Sequence, residues 1–325
     1  MRLDVGDLVD RARDGQPRAI AKLISLVEDA HPRLREVAAA LTPYTGHARV
    51  IGLTGPPGVG KSTSTSALVS ALRAEGKRVG VLAIDPSSPF SGGALLGDRI
   101  RMTEHATDPG VFIRSMATRG HLGGLSWATP QAVRVLDAAG FDVVLIETVG
   151  VGQSEVDVVK LADTTVVLLA PGLGDGVQAA KAGVLEIADV FVVNKADREG
   201  AETVVRDLKQ MIAYARREIR GESWRQPIVR TVAARGEGVQ DVVKALSGHH
   251  DWLTAHGELT RRRIVRAASE VEAIALRELQ ARLADLHGGG HLPTVARKVV
   301  GRELDPYTAA DELLAALSPV TREPG

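Results

Sequence analysis

The stretch 51-IGLTGPPGVGKSTSTSAL-68 joins an apolar strand pattern to a helix pattern through a loop of small residues. From Gly55 to Ser62 it fits the pattern G-x-x-x-x-G-K-[ST]. Several backbone N–H groups must meet the oxygens of a triphosphate at once, and Cβ atoms would obstruct that approach. The stretch therefore predicts a nucleotide-binding phosphate loop between a buried strand and a helix.

The two residues that end this loop carry the charge and the hydroxyl that a nucleotide needs. A helix that begins near Lys61 points the positive end of its dipole at the anion. Lys61 is predicted to neutralise the β- and γ-phosphates, and the Ser62 hydroxyl is predicted to ligate Mg²⁺. The predicted nucleotide contacts in this loop are Gly55, Pro56, Pro57, Gly58, Val59, Gly60, Lys61, Ser62 and Thr63.

Composition narrows the class of protein. The chain has 325 residues, of which 44% are hydrophobic and 25% charged, and 40 basic residues balance 40 acidic ones. A net charge of zero gives no electrostatic reason to expect binding to nucleic acid or to a membrane surface. With no cysteine in the chain, disulfides, zinc–thiolate sites and a cysteine nucleophile are excluded. The first twenty residues lack the pattern of a signal peptide, and no run approaches the roughly 18 apolar residues of a membrane span, so we expect a cytoplasmic protein.

Hydrophobic periodicity divides the chain into three parts. Residues 1–47 and 249–325 show helical spacing, whereas residues 48–248 alternate helical patterns with apolar, β-branched runs. Runs such as 142-DVVLIE-147 are apolar at consecutive positions, which is typical of parallel strands covered by helices on both faces. We therefore predict an α/β fold of the P-loop NTPase type, a G domain with helical extensions at both ends. The candidate strands are Val50–Thr54, Val79–Asp85, Val111–Arg114, Val143–Thr148, Thr165–Ala170, Val190–Asn194 and Ile228–Thr231.

The tetrapeptide 194-NKAD-197 at the end of one of these strands indicates which nucleotide binds. The Asp197 carboxylate can accept hydrogen bonds from the ring N–H and the exocyclic amine of guanine, a donor pair that adenine lacks. Lys195 can cover the plane of the base, and Asn194 can tie this loop back to the phosphate loop. These residues predict GTP or GDP as the ligand.

A second base contact is expected in 231-TVAARGEG-238. GTPases often present an alanine N–H to the guanine oxygen here, after a serine. Ala233 fits that place, but Val232 stands where serine is usual, so a simple connecting loop remains an alternative.

A strand-end acid is the candidate for the metal. Glu147 closes the buried strand in 142-DVVLIETVG-150 and can hold Mg²⁺ or its water, and Gly150 leaves its N–H free to meet a γ-phosphate. A solvated strand-end acid is the alternative. Val151 stands where many small GTPases place a water-orienting glutamine, so we expect slow intrinsic hydrolysis; Gln153 is a weak candidate for that role.

Two further carboxylates are candidates near the phosphates. Asp85 ends the strand 79-VGVLAID-85 and is placed to hold Mg²⁺ through its water shell. Asp98 lies in the Gly-rich loop after it and could reach the metal or the attacking water when that loop closes on GTP. A surface position is the alternative for each. The predicted catalytic set is Lys61, Asp98 and Glu147, and the predicted metal set is Ser62, Asp85, Asp98 and Glu147.

Together these motifs resemble one family. The phosphate loop, I-D-P-S-S-P at 84–89, S-G-G-A-L-L-G-D-R at 91–99, E-T-V-G-V-G-Q-S-E at 147–155 and N-K-A-D are similar to the SIMIBI class of P-loop GTPases. Within it they resemble the methylmalonyl-CoA mutase-associated GTPases over nearly the whole chain. The resemblance implies a homodimer, with the C-terminal arm supplying much of the contact. It also implies a GTPase that binds methylmalonyl-CoA mutase, gates adenosylcobalamin loading and protects or reactivates the mutase.

Other readings stay open on the residues alone. A metallochaperone GTPase needs residues that bind and pass on a metal ion, typically Cys or clustered His. This chain has no Cys, and its nearest equivalent is 249-HH-250 with His256. A kinase needs an acceptor site, and no acceptor motif is visible. An RNA- or ribosome-linked GTPase is disfavoured by the neutral charge and the 3% of aromatic residues.

Overall fold

The central element is a seven-stranded parallel sheet. The structure is a computed structural model that describes residues 4–85, 102–117, 128–148, 160–172, 187–216, 222–288 and 291–315. Within these ranges the strands lie in the order β3-β2-β4-β1-β5-β6-β7. Their bounds are β1 Arg49–Thr54, β2 Val79–Asp85, β3 Val111–Ala117, β4 Val143–Thr148, β5 Thr164–Leu169, β6 Val190–Asn194 and β7 Ile228–Thr231.

The apolar runs form strands because both faces of the sheet are covered. In β4, Val143 and Leu145 belong to one hydrophobic cluster, and Val144 and Ile146 belong to another. Side chains of a strand alternate between faces, so four consecutive apolar residues are all buried in this arrangement. All six neighbouring pairs of strands run parallel, and the carboxyl ends of all seven strands therefore meet at one edge.

Ten α-helices lie in the described residues. Helices α4 and α7 cover one face of the sheet, and α5, α6 and the N-terminal helices cover the other. Helix α4 follows the phosphate loop, so its N-terminus lies at the carboxyl edge. The bounds are α1 Val5–Arg13, α2 Pro17–Glu28, α3 Leu34–Leu41, α4 Lys61–Ala74, α5 Thr129–Ala138, α6 Ala201–Ala215, α7 Val239–Ala255, α8 Glu258–Gly288, α9 His291–Val300 and α10 Pro306–Ala315.

Polar contacts fix the N-terminal helices to the sheet layer. Arg114 on β3 pairs with Glu28 at the end of α2, with the Glu28 side chain 11% exposed. The Asp137 carboxylate at the end of α5 accepts the N–H groups of His47 and Ala48 at 3.1 and 2.8 Å. Because backbone donors that lead into β1 are satisfied in this way, the chain enters the central strand at a fixed position.

The amino ends of β5 and β6 carry a buried ion-pair network with the first turns of α8. Arg262 donates to both carboxylate oxygens of Asp189 at 2.9 Å, and Arg263 donates to Asp163 Oδ2 at 2.9 Å. The Asp163 side chain is 2% exposed and that of Asp189 10%. His249 lies beside them, with Nε2 3.3 Å from Asp189 Oδ1, and burial lowers its pKa to about 4. These contacts fix the start of α8 on the sheet.

The chain divides into two compact units, residues 1–263 and 264–325. In the second unit, the Lys298 side chain on α9 donates to Glu312 on α10 at 3.0 Å. Apolar side chains of α8 there are exposed, among them Ile264, Val271 and Ile274 at 63%, 67% and 53%. None of the described helices is long and apolar enough to span a bilayer.

The predicted fold class is confirmed: a parallel sheet flanked by helices, with helical segments at both ends. Each predicted strand is present, with β1 and β3 longer than predicted and β5 shifted by one residue. The N-terminal helices predicted as an extension share one core with α5 and β4. Helix α7 packs on the sheet, and the domain boundary expected at residue 248 stays a prediction.

Candidate nucleotide-binding site

The phosphate loop runs from β1 to α4 in a conformation that glycine permits. Gly55 has φ 144°, and a Cβ there would lie 2.3 Å from the carbonyl oxygen of Leu168. Gly60 has φ 93°, and a Cβ there would lie 2.6 Å from Nδ2 of Asn194. A side chain at Gly55 would therefore displace β5, and one at Gly60 would displace Asn194, the first residue of the N-K-A-D segment, which we call the base loop. This loop has the form that lets backbone N–H groups approach phosphate oxygens.

Lys61 lies at the N-terminus of α4 with its ammonium group turned into the loop. Its side chain Nζ donates to the carbonyl oxygens of Gly55 at 2.8 Å and Pro56 at 3.1 Å. The residue is 8% exposed, so its charge acts where water screens it weakly. A phosphate bound in the loop would exchange these carbonyl contacts for charge-assisted bonds to the ammonium group.

The predicted metal ligands Ser62 and Glu147 are in direct contact. The Ser62 hydroxyl donates to Oε1 of Glu147 at 2.7 Å, and the two residues are 6% and 3% exposed. Glu147 is brought to the loop because it pairs in register with Leu53 of β1. A hydroxyl and a carboxylate at this distance supply the hard oxygen donors that Mg²⁺ prefers, so the residues present fit that ion.

Asn194 connects the base loop to the phosphate loop, as its sequence position predicts. Its Nδ2 donates to the carbonyl oxygen of Val59 at 2.9 Å. Its Oδ1 accepts from the Ala233 N–H at 3.0 Å and from the Thr231 hydroxyl at 3.2 Å. One buried amide therefore holds three segments of the site together. The Ala233 N–H, predicted to meet the guanine oxygen, donates to Asn194 in the structure.

The two neighbours of Asn194 in the motif lie nearer the surface. Lys195 adopts a left-handed backbone conformation with φ 56°, and its Nζ donates to the Gly58 carbonyl at 2.5 Å. The stem of this side chain thus runs along the phosphate loop. Asp197 is exposed and pairs with Arg235, Nη2 to Oδ2, at 3.3 Å. A carboxylate is thus present where the motif predicts the guanine reader.

Comparison with known proteins agrees with this geometry. Residues 20–287 match the family model of the methylmalonyl Co-A mutase-associated GTPase MeaB. The chain belongs to the MeaB family. Membership makes it a P-loop GTPase of the SIMIBI class, in which GTP and GDP are the ligands of the site.

Relatives of this MeaB-family chain match it over most of their length. A protein of Pyrococcus abyssi is 48% identical over 95% of this chain and 96% of its own. The GTPase ArgK of Escherichia coli is 37% identical over 82% of each chain. The mouse protein named methylmalonic aciduria type A homolog, mitochondrial, is 36% identical over 93% of this chain and 77% of its own. A solved structure titled LAO/AO transport system kinase superposes with a TM-score of 0.70 at 27% identity, covering 98% and 99% of the two chains.

Several predicted residues of the MeaB-family site lie outside what the structure describes. Asp98, Gly150, Val151 and Gln153 fall in this group. Of Asp85 the backbone is described: it closes β2 at the carboxyl edge, in register with Ala117. Thr63, the third residue of α4, is exposed, and the loop residues Pro57, Gly58 and Val59 lie between β1 and α4. The described residues contain no cluster of three or more His, Cys, Asp or Glu side chains that could hold a metal ion.

Two site residues were missed by sequence reasoning. Thr231 supports Asn194, and a signal for it existed, since a hydroxyl residue closes the neighbouring strand in register with Asn194. Arg235 pairs with Asp197; its position in a loop of alternating charge carried no signal for that contact. Both lie in the stretch 231–238, in which the sequence predicts a base contact for Ala233 only.

Proposed function

We propose that this chain hydrolyses GTP with Mg²⁺ at the carboxyl edge of its sheet and acts as a chaperone of methylmalonyl-CoA mutase. In this role it gates adenosylcobalamin loading and protects or reactivates the mutase. The observation that carries the proposal is the junction at Asn194, which joins the phosphate loop to the guanine-reading loop. Family membership supports the mutase as partner.

The described residues have separable tasks in this reaction. Lys61 and the N-terminus of α4 stabilise the charge that develops on the β- and γ-phosphate oxygens. Ser62 and Glu147 would hold Mg²⁺, which supplies charge neutralisation between the phosphates when bound. Asn194 and Asp197 orient the base, so that binding energy from the base positions the phosphates in the loop. Asp98 and Asp85 are proposed to act on the attacking water and the metal shell.

Slow intrinsic hydrolysis is part of the proposal. Val151 follows the acid-x-x-Gly stretch, and valine cannot orient water by hydrogen bonding. The chain therefore suits a switch whose GTP-bound form lasts until a partner stimulates it. Single-turnover hydrolysis of GTP by the purified chain, alone and with mutase, tests this. A rate of many per second without partner would refute it.

The partner is tested by co-purification in each nucleotide state. Mutase should be retained by the tagged chain in a way that differs between GDP and a non-hydrolysable GTP analogue. Transfer of adenosylcobalamin to apo-mutase should then depend on GTP hydrolysis, and Lys61→Ala should abolish that dependence. Absence of mutase binding in both nucleotide states would remove the chaperone role while leaving the GTPase activity in place. Phosphate labelled at the γ position should appear as free phosphate; label on an acceptor would indicate a kinase.

A homodimer through the C-terminal arm is also proposed. Ile264, Val271 and Ile274 are spaced seven and three residues apart, which places them on one side of α8, and all three are more than half exposed. Exposed apolar stripes of this kind favour contact with another protein surface, and the family resemblance points to a second copy of this chain. Light scattering coupled to gel filtration measures the oligomeric state.

A further inference from the structure

Two loops lie next to each other where the guanine base is predicted to bind, and backbone hydrogen bonds hold both of them where they leave the sheet. The first is the loop of Asp197, in which the Ala196 N–H donates to the Thr231 carbonyl at 3.0 Å. The second is a tight turn closed by the Val232 N–H, which donates to the Glu237 carbonyl at 3.0 Å. Because both roots are fixed by backbone bonds, the residues at their tips are held opposite one another.

The tips meet in an ion pair. Arg235 Nη2 lies 3.3 Å from Oδ2 of Asp197, and its Nη1 lies 3.8 Å from Glu237. The Arg235 side chain is 61% exposed and that of Asp197 37%. Arg235 approaches one oxygen of the carboxylate, whereas an ionised carboxylate accepts about four hydrogen bonds. The pair therefore leaves acceptor positions for the two donors of a guanine.

We propose that Arg235 is a positioning residue for guanine selection, acting through Asp197. The inference rests on the proposed function, because it assumes that Asp197 reads the base. A carboxylate on an exposed loop exchanges between several side-chain rotamers. Only one of these rotamers lets the carboxylate accept hydrogen bonds from both guanine donors, so holding that rotamer in advance favours binding. Arg235 holds Asp197 in a fixed orientation, and the tight turn between Val232 and Glu237 holds Arg235 in place.

The measurement compares GDP with inosine diphosphate, whose base lacks the exocyclic amine. The dissociation constant of inosine diphosphate divided by that of GDP reports the hydrogen bond between that amine and the Asp197 carboxylate. Exposed ion pairs contribute little, so Arg235→Ala should lower the ratio by about two- to fivefold, and Arg235→Lys should restore part of it. Arg230→Ala is the matched control, because Arg230 lies on β7, the strand that leads into the tight turn, and pairs with Glu202 instead of Asp197. It should leave the ratio unchanged.

A double-mutant cycle separates positioning from a general charge effect. In an Asp197→Ala background, Arg235→Ala should not change the ratio further. Equal weakening of GDP and inosine diphosphate by Arg235→Ala would overturn the inference, because it would make Arg235 a cation that attracts any diphosphate. A wild-type chain that does not prefer GDP over inosine diphosphate would refute guanine reading itself, which is the failure of the proposed function and is seen before any variant is made.

Discussion

Replacing Asn194 by alanine should loosen the phosphate loop and the base loop together. The side chain is 3% exposed and makes three hydrogen bonds, to the Val59 carbonyl, the Ala233 N–H and the Thr231 hydroxyl. Alanine leaves two backbone groups without this partner. Each buried backbone group that loses its partner costs about 1–3 kcal/mol, so the two together should lower the free energy of unfolding by about 2–6 kcal/mol. The affinity for GDP should fall at least about tenfold, which corresponds to roughly 1.4 kcal/mol.

Urea denaturation followed by tryptophan fluorescence measures the stability change, and titration with a fluorescent GDP analogue measures the affinity. Lys195→Ala is the matched control, because Lys195 also donates to the phosphate loop but is only half-buried. Its loss should cost no more than about 1 kcal/mol. If the Asn194 variant were as stable as the Lys195 variant and bound GDP as tightly as the wild type, the reasoning that one buried amide holds the site together would be refuted.

Three further outcomes follow from named contacts. Glu147→Gln keeps an oxygen acceptor for Ser62 but removes the charge facing the metal; GTP hydrolysis should fall by at least about a hundredfold, and GDP affinity should lose its dependence on Mg²⁺ in a titration with chelator. Burial lowers the pKa of His249 from 6.5 to about 4, so the unfolded chain binds more protons between these values; stability should be greatest above pH 6.5 and fall by roughly 2–3 kcal/mol towards pH 4. His249→Gln should flatten that fall in urea midpoints, and an unchanged slope would contradict the assignment. Val271→Glu places a charge on the exposed side of α8 and should shift light-scattering mass from dimer to monomer; an unchanged mass would place the contact elsewhere.

The sheet could be predicted because its signals are local. Each strand is an apolar run long enough to cross a sheet, and burial on both faces makes consecutive positions apolar, as in β4. The phosphate loop and N-K-A-D are also local, and their contact follows from parallel strands whose carboxyl ends meet at one edge. Thus Asn194 was expected to tie the loops together, and it donates to Val59.

Contacts between distant side chains could not be predicted in the same way. Asp137 receives the backbone N–H groups of residues 46–48, about ninety positions earlier in the chain, yet in the sequence it is an ordinary acid near the end of a helix. Arg235 and Asp197 are likewise two exposed charges among many. Nothing in spacing or composition selects one partner for such a group. The selection comes from the turn geometry that places the two tips together.

The amino edge of the sheet shows why buried charges in particular escape sequence reasoning. Arg262 and Arg263 lie in the first two turns of a helix rich in arginine, where charges usually indicate a solvated face. Asp163 and Asp189 each stand immediately before a strand, with nothing in the sequence to show that they are buried. In the structure both carboxylates are buried, and besides the two arginines they accept the backbone N–H groups of Val50 and Thr165. A buried pair adds little net stability because desolvation offsets the attraction, but removing one partner costs about 3–5 kcal/mol. The network therefore acts chiefly by fixing the position at which α8 begins relative to β1, β5 and β6. Two of these strands, β1 and β6, carry the phosphate loop and the N-K-A-D segment at their other end.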